Sequence, residues 1–204
     1  MIINLSHIIH EEMPVFPGSD RPVITNRFSI EKNGFSENSI CLLSHTGTHI
    51  DAPAHLIPGG RTLDRYDISK FKGKAFLIDL NNQTGFTENN SEISLSDFII
   101  FRTGWHQYWG EERYFESFPV PSQEMIEFCC SLKLKGVGID TPSIDRIESV
   151  SFENHRQLFA SDMIIIENLN NLSQLKQTVF ELTALPLTVI NSDGFSATVI
   201  AEHD

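Results

Sequence analysis

Ser122-Gln-Glu-Met-Ile-Glu-Phe-Cys-Cys-Ser-Leu132 opens on a serine suited to capping a helix and sets Met125, Phe128, Cys129 and Leu132 on one helical face. Gly136 and the apolar Val137-Gly-Ile139 follow, so the stretch reads as helix, glycine stop and buried strand. Working outward, short β-branched or aromatic runs recur between Gly, Pro, Asn and Asp. They are 24–30, 38–43, 75–80, 98–102, 163–166 and 187–190, with 197–201 placed to close a sheet at the C-terminus. Ser151–Phe159 and the Tyr108–Phe118 region are further helical candidates. The expected fold is therefore mixed α/β with the sheet dominant.

No internal repeat, low-complexity tract or Pro/Gly/Ser linker divides the 204 residues, so residues 1–204 are read as a single domain. An apolar fraction of 40% with 15 Phe is ample for a core without disulfide or lipid help. No apolar run approaches the ~20 residues that cross a bilayer. Met1-Ile-Ile-Asn-Leu-Ser-His7 has no basic n-region or cleavage site, and a cytoplasmic location is expected. Cys41, Cys129 and Cys130 form no disulfide framework and are expected to be buried, reduced thiols. The formal charge of −12 repels phosphate backbones and anionic lipid, which argues against nucleic acid and membrane as partners.

Ser44-His-Thr-Gly-Thr-His-Ile-Asp-Ala-Pro-Ala-His55 carries the chemistry. As a helix it would share His45 and His49 on one face but turn Asp51 away, and Gly47 and Pro53 are poor helix formers. An extended chain puts His45, His49 and Asp51 on one side. Four residues of straight strand span ~13 Å, near the limit for two imidazoles on one ion, so the chain must bend between the histidines. Gly47, at the midpoint, is the residue best able to do so.

His45-x-Gly47-Thr48-His49-x-Asp51-x-Pro53-x-His55 resembles the signature of the cyclase-like metal hydrolases, a family that includes bacterial kynurenine formamidase and isatin hydrolase. Pro14-Val-Phe-Pro-Gly18, Arg102-Thr-Gly-Trp105, Gly138–Asp145, the pair His155 and Glu167, and Asp193-Gly194 are similar to further family segments, so the resemblance spans nearly the whole chain. Two positions depart from the pattern. Phe16 stands where formamidases carry a pocket-lining Trp, which leaves the substrate open. Arg146 stands where Pro is common, and a change confined to a loop is expected there.

The resemblance implies a swivelling β/β/α domain, usually in homodimers or homotetramers, and a two-metal centre. One ion would be held by His45, His49 and Asp51, the other by His155 with Asp51 and Glu167 as bridging carboxylates. Glu167, at the end of the apolar Met163–Ile166, needs a partner on chemical grounds alone; the alternative reading is the cap of a short helix starting at Asn168. His55 is implied as general acid/base, with a supporting or third metal ligand as the alternative. Phe16 is implied as a substrate-binding wall.

Zn²⁺ suits imidazole plus carboxylate, and Mn²⁺ accepts the same set. The function expected is hydrolysis of an aryl formamide such as N-formylkynurenine, which would place it in tryptophan catabolism. Alternatives are a cyclic amide such as isatin, a cyclisation on the same centre, or a non-catalytic metal-binding scaffold. His7, His10, His106 and His203 lack ligand-type neighbours and are read as surface or loop residues. No G-x-S-x-G elbow supports a serine hydrolase.

Overall fold

The computed structural model describes residues 1–81 and 91–203. Ten strands are present among them: β1 (Ile2–Asn4), β2 (Val23–Phe28), β3 (Glu37–Cys41), β4 (His49–Asp51), β5 (Lys72–Asp79), β6 (Phe98–Arg102), β7 (Gly136–Ile139), β8 (Ile164–Glu167), β9 (Val179–Pro186) and β10 (Gly194–Glu202). The helices are the single turns α1 (Ile30–Asn33) and α2 (Ser91–Ser94), then α3 (Gln123–Ser131) and α4 (Glu153–Ala160).

Strands β10, β4, β8, β7, β6, β5 and β9 pair in that order, and β9 pairs back onto β10, so the sheet closes as a barrel with β1 continuing one edge of β10. Its centre, β5 through β8, is parallel, and its remaining pairings are antiparallel. The mixed, sheet-dominated α/β class expected from the sequence is the class observed.

Alternation along the strands sorts two cores. Ile50, Leu77, Phe98, Ile100, Ile164, Ile166, Leu182 and Val199 fill the barrel interior. Phe76, Ile99, Phe101, Val137, Ile139 and Ile165 face outward, where Met125, Ile126 and Cys129 of α3 and Leu158 and Phe159 of α4 cover them. Both faces of Phe98–Phe101, β7 and Ile164–Ile166 are therefore dry, which is why these stretches are unbroken apolar runs. Each fully buried side chain of this kind contributes roughly 1.5–3 kcal/mol. The Ser122 hydroxyl caps α3 by accepting the Met125 N–H at 3.3 Å, as its sequence suggested.

Several expectations are corrected. A strand was expected at 187–190, but the strand is β9, and Leu187 and Ile190 beyond it are 65% and 80% exposed. Pro186 cannot donate to the ladder and ends it. The Tyr108–Phe118 region forms no α-helix; 3₁₀ turns at Trp105–Tyr108 and Glu112–Phe115 flank Gly110, whose φ of 91° breaks any continuous helix. Cys41 is exposed on β3 rather than buried, while all three thiols are free. No helix of the described residues is long and apolar enough to cross a membrane.

Candidate metal centre

β4 and β8 run antiparallel with His49 directly opposite Glu167 and Asp51 opposite Ile165. Side chains at opposed positions share a face, so the Ile50–Ile166 pair enters the barrel while His49, Asp51 and Glu167 point together to the outer side. All three are nearly inaccessible, at 4%, 1% and 4% exposure. Buried charge on this scale is tolerated only when paired or bound to a cation.

His45 reaches the same point from the preceding loop. Gly47 supplies the bend with φ of 67°, a left-handed conformation that residues with a Cβ avoid. His45 Nδ1 lies 2.5 Å from Asp51 Oδ1, and its Nε2 lies 2.9 Å from Asp193 Oδ2. Gly194 makes room for this ring, because a Cβ there would sit 2.4 Å from His45 Cε1. The Gly47 carbonyl accepts His49 Nδ1–H at 2.9 Å, which fixes the tautomer and turns Nε2 toward Asp51 (3.2 Å) and Glu167 (3.6 Å).

His155 comes from α4. Asp145 accepts the backbone N–H groups of Asn154 and His155, at 3.0 and 3.1 Å, and the His155 Nδ1–H at 2.7 Å. One carboxylate thus caps the helix and aims His155 Nε2 at Glu167 Oε1 (3.3 Å) and Asp51 Oδ2 (3.5 Å). Glu167 Oε1 also accepts the Ile144 N–H at 2.7 Å. Asn168 starts no helix: its φ is 56°, and its side chain ties Gly47 O (3.0 Å) to the Tyr114 hydroxyl (2.8 Å).

The donor atoms form three overlapping groups, each within 4.8 Å: His45, His49 and Asp51; Asp51, His155 and Glu167; and His45, His55 and Asp193. The first two join the five residues read from the sequence as ligands, with Asp51 common to both. The third was not anticipated, and it gives Asp193 a place beside His55, whose Nδ1 is 3.5 Å away.

Electrostatics report the crowding. Burial disfavours a charged imidazole at His45, yet Asp51 and Asp193 outweigh it and raise its pKa to about 9. Burial likewise opposes charge on His155, but Asp145, Asp51 and Glu167 hold its pKa well above the ordinary value. Asp51 is buried too, and the surrounding histidines keep its carboxyl well below the usual range. At His55 burial prevails and lowers the pKa. A cation bonded to these nitrogens would take the lone pairs that the carboxylates otherwise keep protonated.

A cavity of about 490 Å³ opens above the cluster. His45, His49, Asp51, His55, His155 and Glu167 form part of its lining, and Phe16, Trp109, Phe115 and Phe152 give it aromatic walls. Phe16 packs edge-on to Phe115 at 6.1 Å, so the sequence-read wall residue does border this space. Arg146 sits in the loop between β7 and α4, where a change was expected, and that loop lines the cavity as well.

Two other histidines depart from the surface reading. His7 stacks on Trp109 at 3.8 Å, and burial, then His106, depresses its pKa to about 3. His106 lies 3.1 Å from the fully buried Asp140, which also accepts from Thr103 and Gly104. Their partners are distant in sequence. Asp145 and Asp193 were visible only as parts of family-like segments, without roles.

A family model described as "Putative cyclase" matches residues 3–146. An uncharacterised protein of Methanocaldococcus jannaschii is 34% identical over 175 residues, 84% of this chain and 87% of that protein. Kynurenine formamidase of Bacillus mycoides is 29% identical over 203 residues, 94% of this chain and 92% of the enzyme. Among solved structures, an isatin hydrolase bound to the product analogue thioisatinate shares the fold with a TM-score of 0.83 at 21% identity, over 98% of this chain and 91% of that one. A structure described as a potential metal-dependent hydrolase with cyclase activity gives a TM-score of 0.78 at 27% identity, over 98% and 96%. With the family model spanning well over half of its length and hydrolase relatives matching it almost end to end, the chain belongs to the cyclase family.

Proposed function

We propose that the protein is a metal-dependent amide hydrolase acting on an aryl formamide or a related small amide. The observation that carries this reading is the convergence of His45, His49, Asp51, His155 and Glu167 beneath an aromatic-walled cavity that His55 also lines. The donor chemistry fits one or two divalent ions, Zn²⁺ first and Mn²⁺ as the alternative, since imidazole and carboxylate serve both. Such an ion supplies Lewis acidity, polarising a carbonyl and acidifying water.

The chain's own groups complete the reaction. Phe16, Trp109, Phe115 and Phe152 offer flat apolar surface to an aryl ring and hold the amide over the donor cluster. His55 is the residue placed to move protons. Its lowered pKa keeps the imidazole neutral near pH 7, so it accepts a proton from the attacking water. Attack gives a tetrahedral intermediate on the substrate carbon, and its collapse breaks the C–N bond. His55 returns the proton to the departing nitrogen, giving the amine and a carboxylic acid, which loses its remaining proton to solvent and leaves as carboxylate.

The exposed apolar side chains Val23, Phe28 and Ile40 of the β2–β3 ribbon support assembly as a homodimer or homotetramer, because a lone two-stranded ribbon is marginal in water. Light scattering on the purified protein tests that part. For the activity, the test is a hydrolysis panel on metal-reconstituted protein: formanilide, N-formylkynurenine, isatin and simple lactams. Metal-dependent release of formate from the formamides is expected. Turnover of the cyclic amides alone would move the assignment to a ring-opening hydrolase, and no turnover of any would refute it.

A further inference from the structure

Among the described residues that line the cavity, Arg146 carries the one guanidinium, and none carries an ammonium group. Arg102 and Arg113 are neutralised by Asp79 and Glu111 at 2.8 and 2.7 Å. Arg146 is not: no described side chain pairs with it, including Asp20, Asp51 and Glu167, the carboxylates that share the cavity.

Its backbone is nonetheless fixed. Asp145, its chain neighbour, is locked by three bonds to Asn154 and His155. On the other side the Arg146 carbonyl accepts the Ser149 N–H at 3.0 Å. Ile147 and Phe152, next along the same wall, supply apolar surface. Arg146 is exposed at this partly apolar rim, so its unpaired guanidinium is open to an incoming anion, and its planar N–H fork matches a carboxylate.

We infer that Arg146 is a specificity-determining residue that binds a carboxylate on the substrate, so that the amides this protein prefers are anionic aryl amides. The inference rests on the amide-hydrolase reading for the word substrate, but the anion-binding role of Arg146 stands apart from it. The aryl ring would lie between the aromatic walls, with the amide over the donor cluster and the carboxylate at the rim.

The test uses metal-loaded wild type, Arg146→Ala and Arg146→Lys. Calorimetry measures binding of benzoate and of neutral benzamide, and a formate assay compares 4-formamidobenzoate with its methyl ester. Charge-assisted hydrogen bonds to a carboxylate correspond to roughly a 10–100-fold change in affinity. Arg146→Ala is expected to lose that factor for benzoate with benzamide unchanged, and Arg146→Lys to lose only part of it. In the rate assay the loss should fall on KM for the anionic amide, with kcat retained and the ester unaffected.

Equal benzoate affinity in wild type and Arg146→Ala would overturn the inference and place the carboxylate on the cavity floor. If wild type hydrolyses neither formamide, the hydrolase reading fails, while the benzoate comparison still decides the role of Arg146.

Discussion

Asp145 holds His155 at two points, accepting its backbone N–H at 3.1 Å and its Nδ1–H at 2.7 Å. A single carboxylate therefore starts α4 and points an imidazole nitrogen into the donor cluster. Removing it should separate these roles. Asp145→Ala is expected to weaken metal binding about 10–100-fold, the usual effect of losing a partner behind a ligand. It should also cost roughly 0.5–2 kcal/mol of stability through the lost cap. Metal titration and thermal unfolding with and without chelator check both. Unchanged metal affinity would mean that the bond to His155 is incidental to the site.

His7 makes stability sensitive to acid. Its pKa falls from 6.5 to about 3 because burial, and then His106, penalise the charged form. The folded state thus binds fewer protons than the unfolded chain, and its advantage is complete above about pH 6.5 and declines as pH drops toward 3. His7→Phe keeps an aromatic ring against Trp109 and removes the titration. Between pH 7 and 5 the melting temperature of this variant should fall less than that of wild type. Parallel decline in the two proteins would show that His7 is not the acid-sensitive group.

Phe16 should set the preference for aryl substrates, since it faces the cavity with Phe115 at its edge. Phe16→Ala is expected to raise KM for formanilide several-fold, because aromatic pairs add about 0.5–1.5 kcal/mol beyond burial. Phe16→Trp, with a larger face, should lower it. Equal KM in all three would take Phe16 out of the recognition surface.

Sequence showed the parts of this fold whose environment is uniform. β6 and β7 were readable to the residue because both their faces are buried, and α3 because Ser122 caps an amphipathic run. β9 was missed, since Glu181 and Thr183 interrupt its apolar pattern and its burial alternates. The ligand segment was legible because three donors lie within seven residues and must converge. The residues that hold those donors were not. Asp193 meets His45 across 148 positions and Asn168 meets Gly47 across 121, and such pairings arise only when β10 and β8 flank β4. Trp109 and His7 likewise lie in unrelated segments until the barrel closes.

Metal content and amide hydrolysis measured together on wild type, His55→Ala and Glu167→Ala test the central claim most directly. Wild type should hold one or two divalent ions and turn over an aryl formamide. Glu167→Ala should lose metal and activity together, because its carboxylate joins Asp51 and His155 in one donor group. His55→Ala should keep its metal while the rate falls about 10²–10⁴-fold, the usual contribution of general acid/base catalysis. If His55→Ala sheds metal as readily as Glu167→Ala, His55 is a ligand in the group with His45 and Asp193, and the proton-transfer role assigned to it is contradicted.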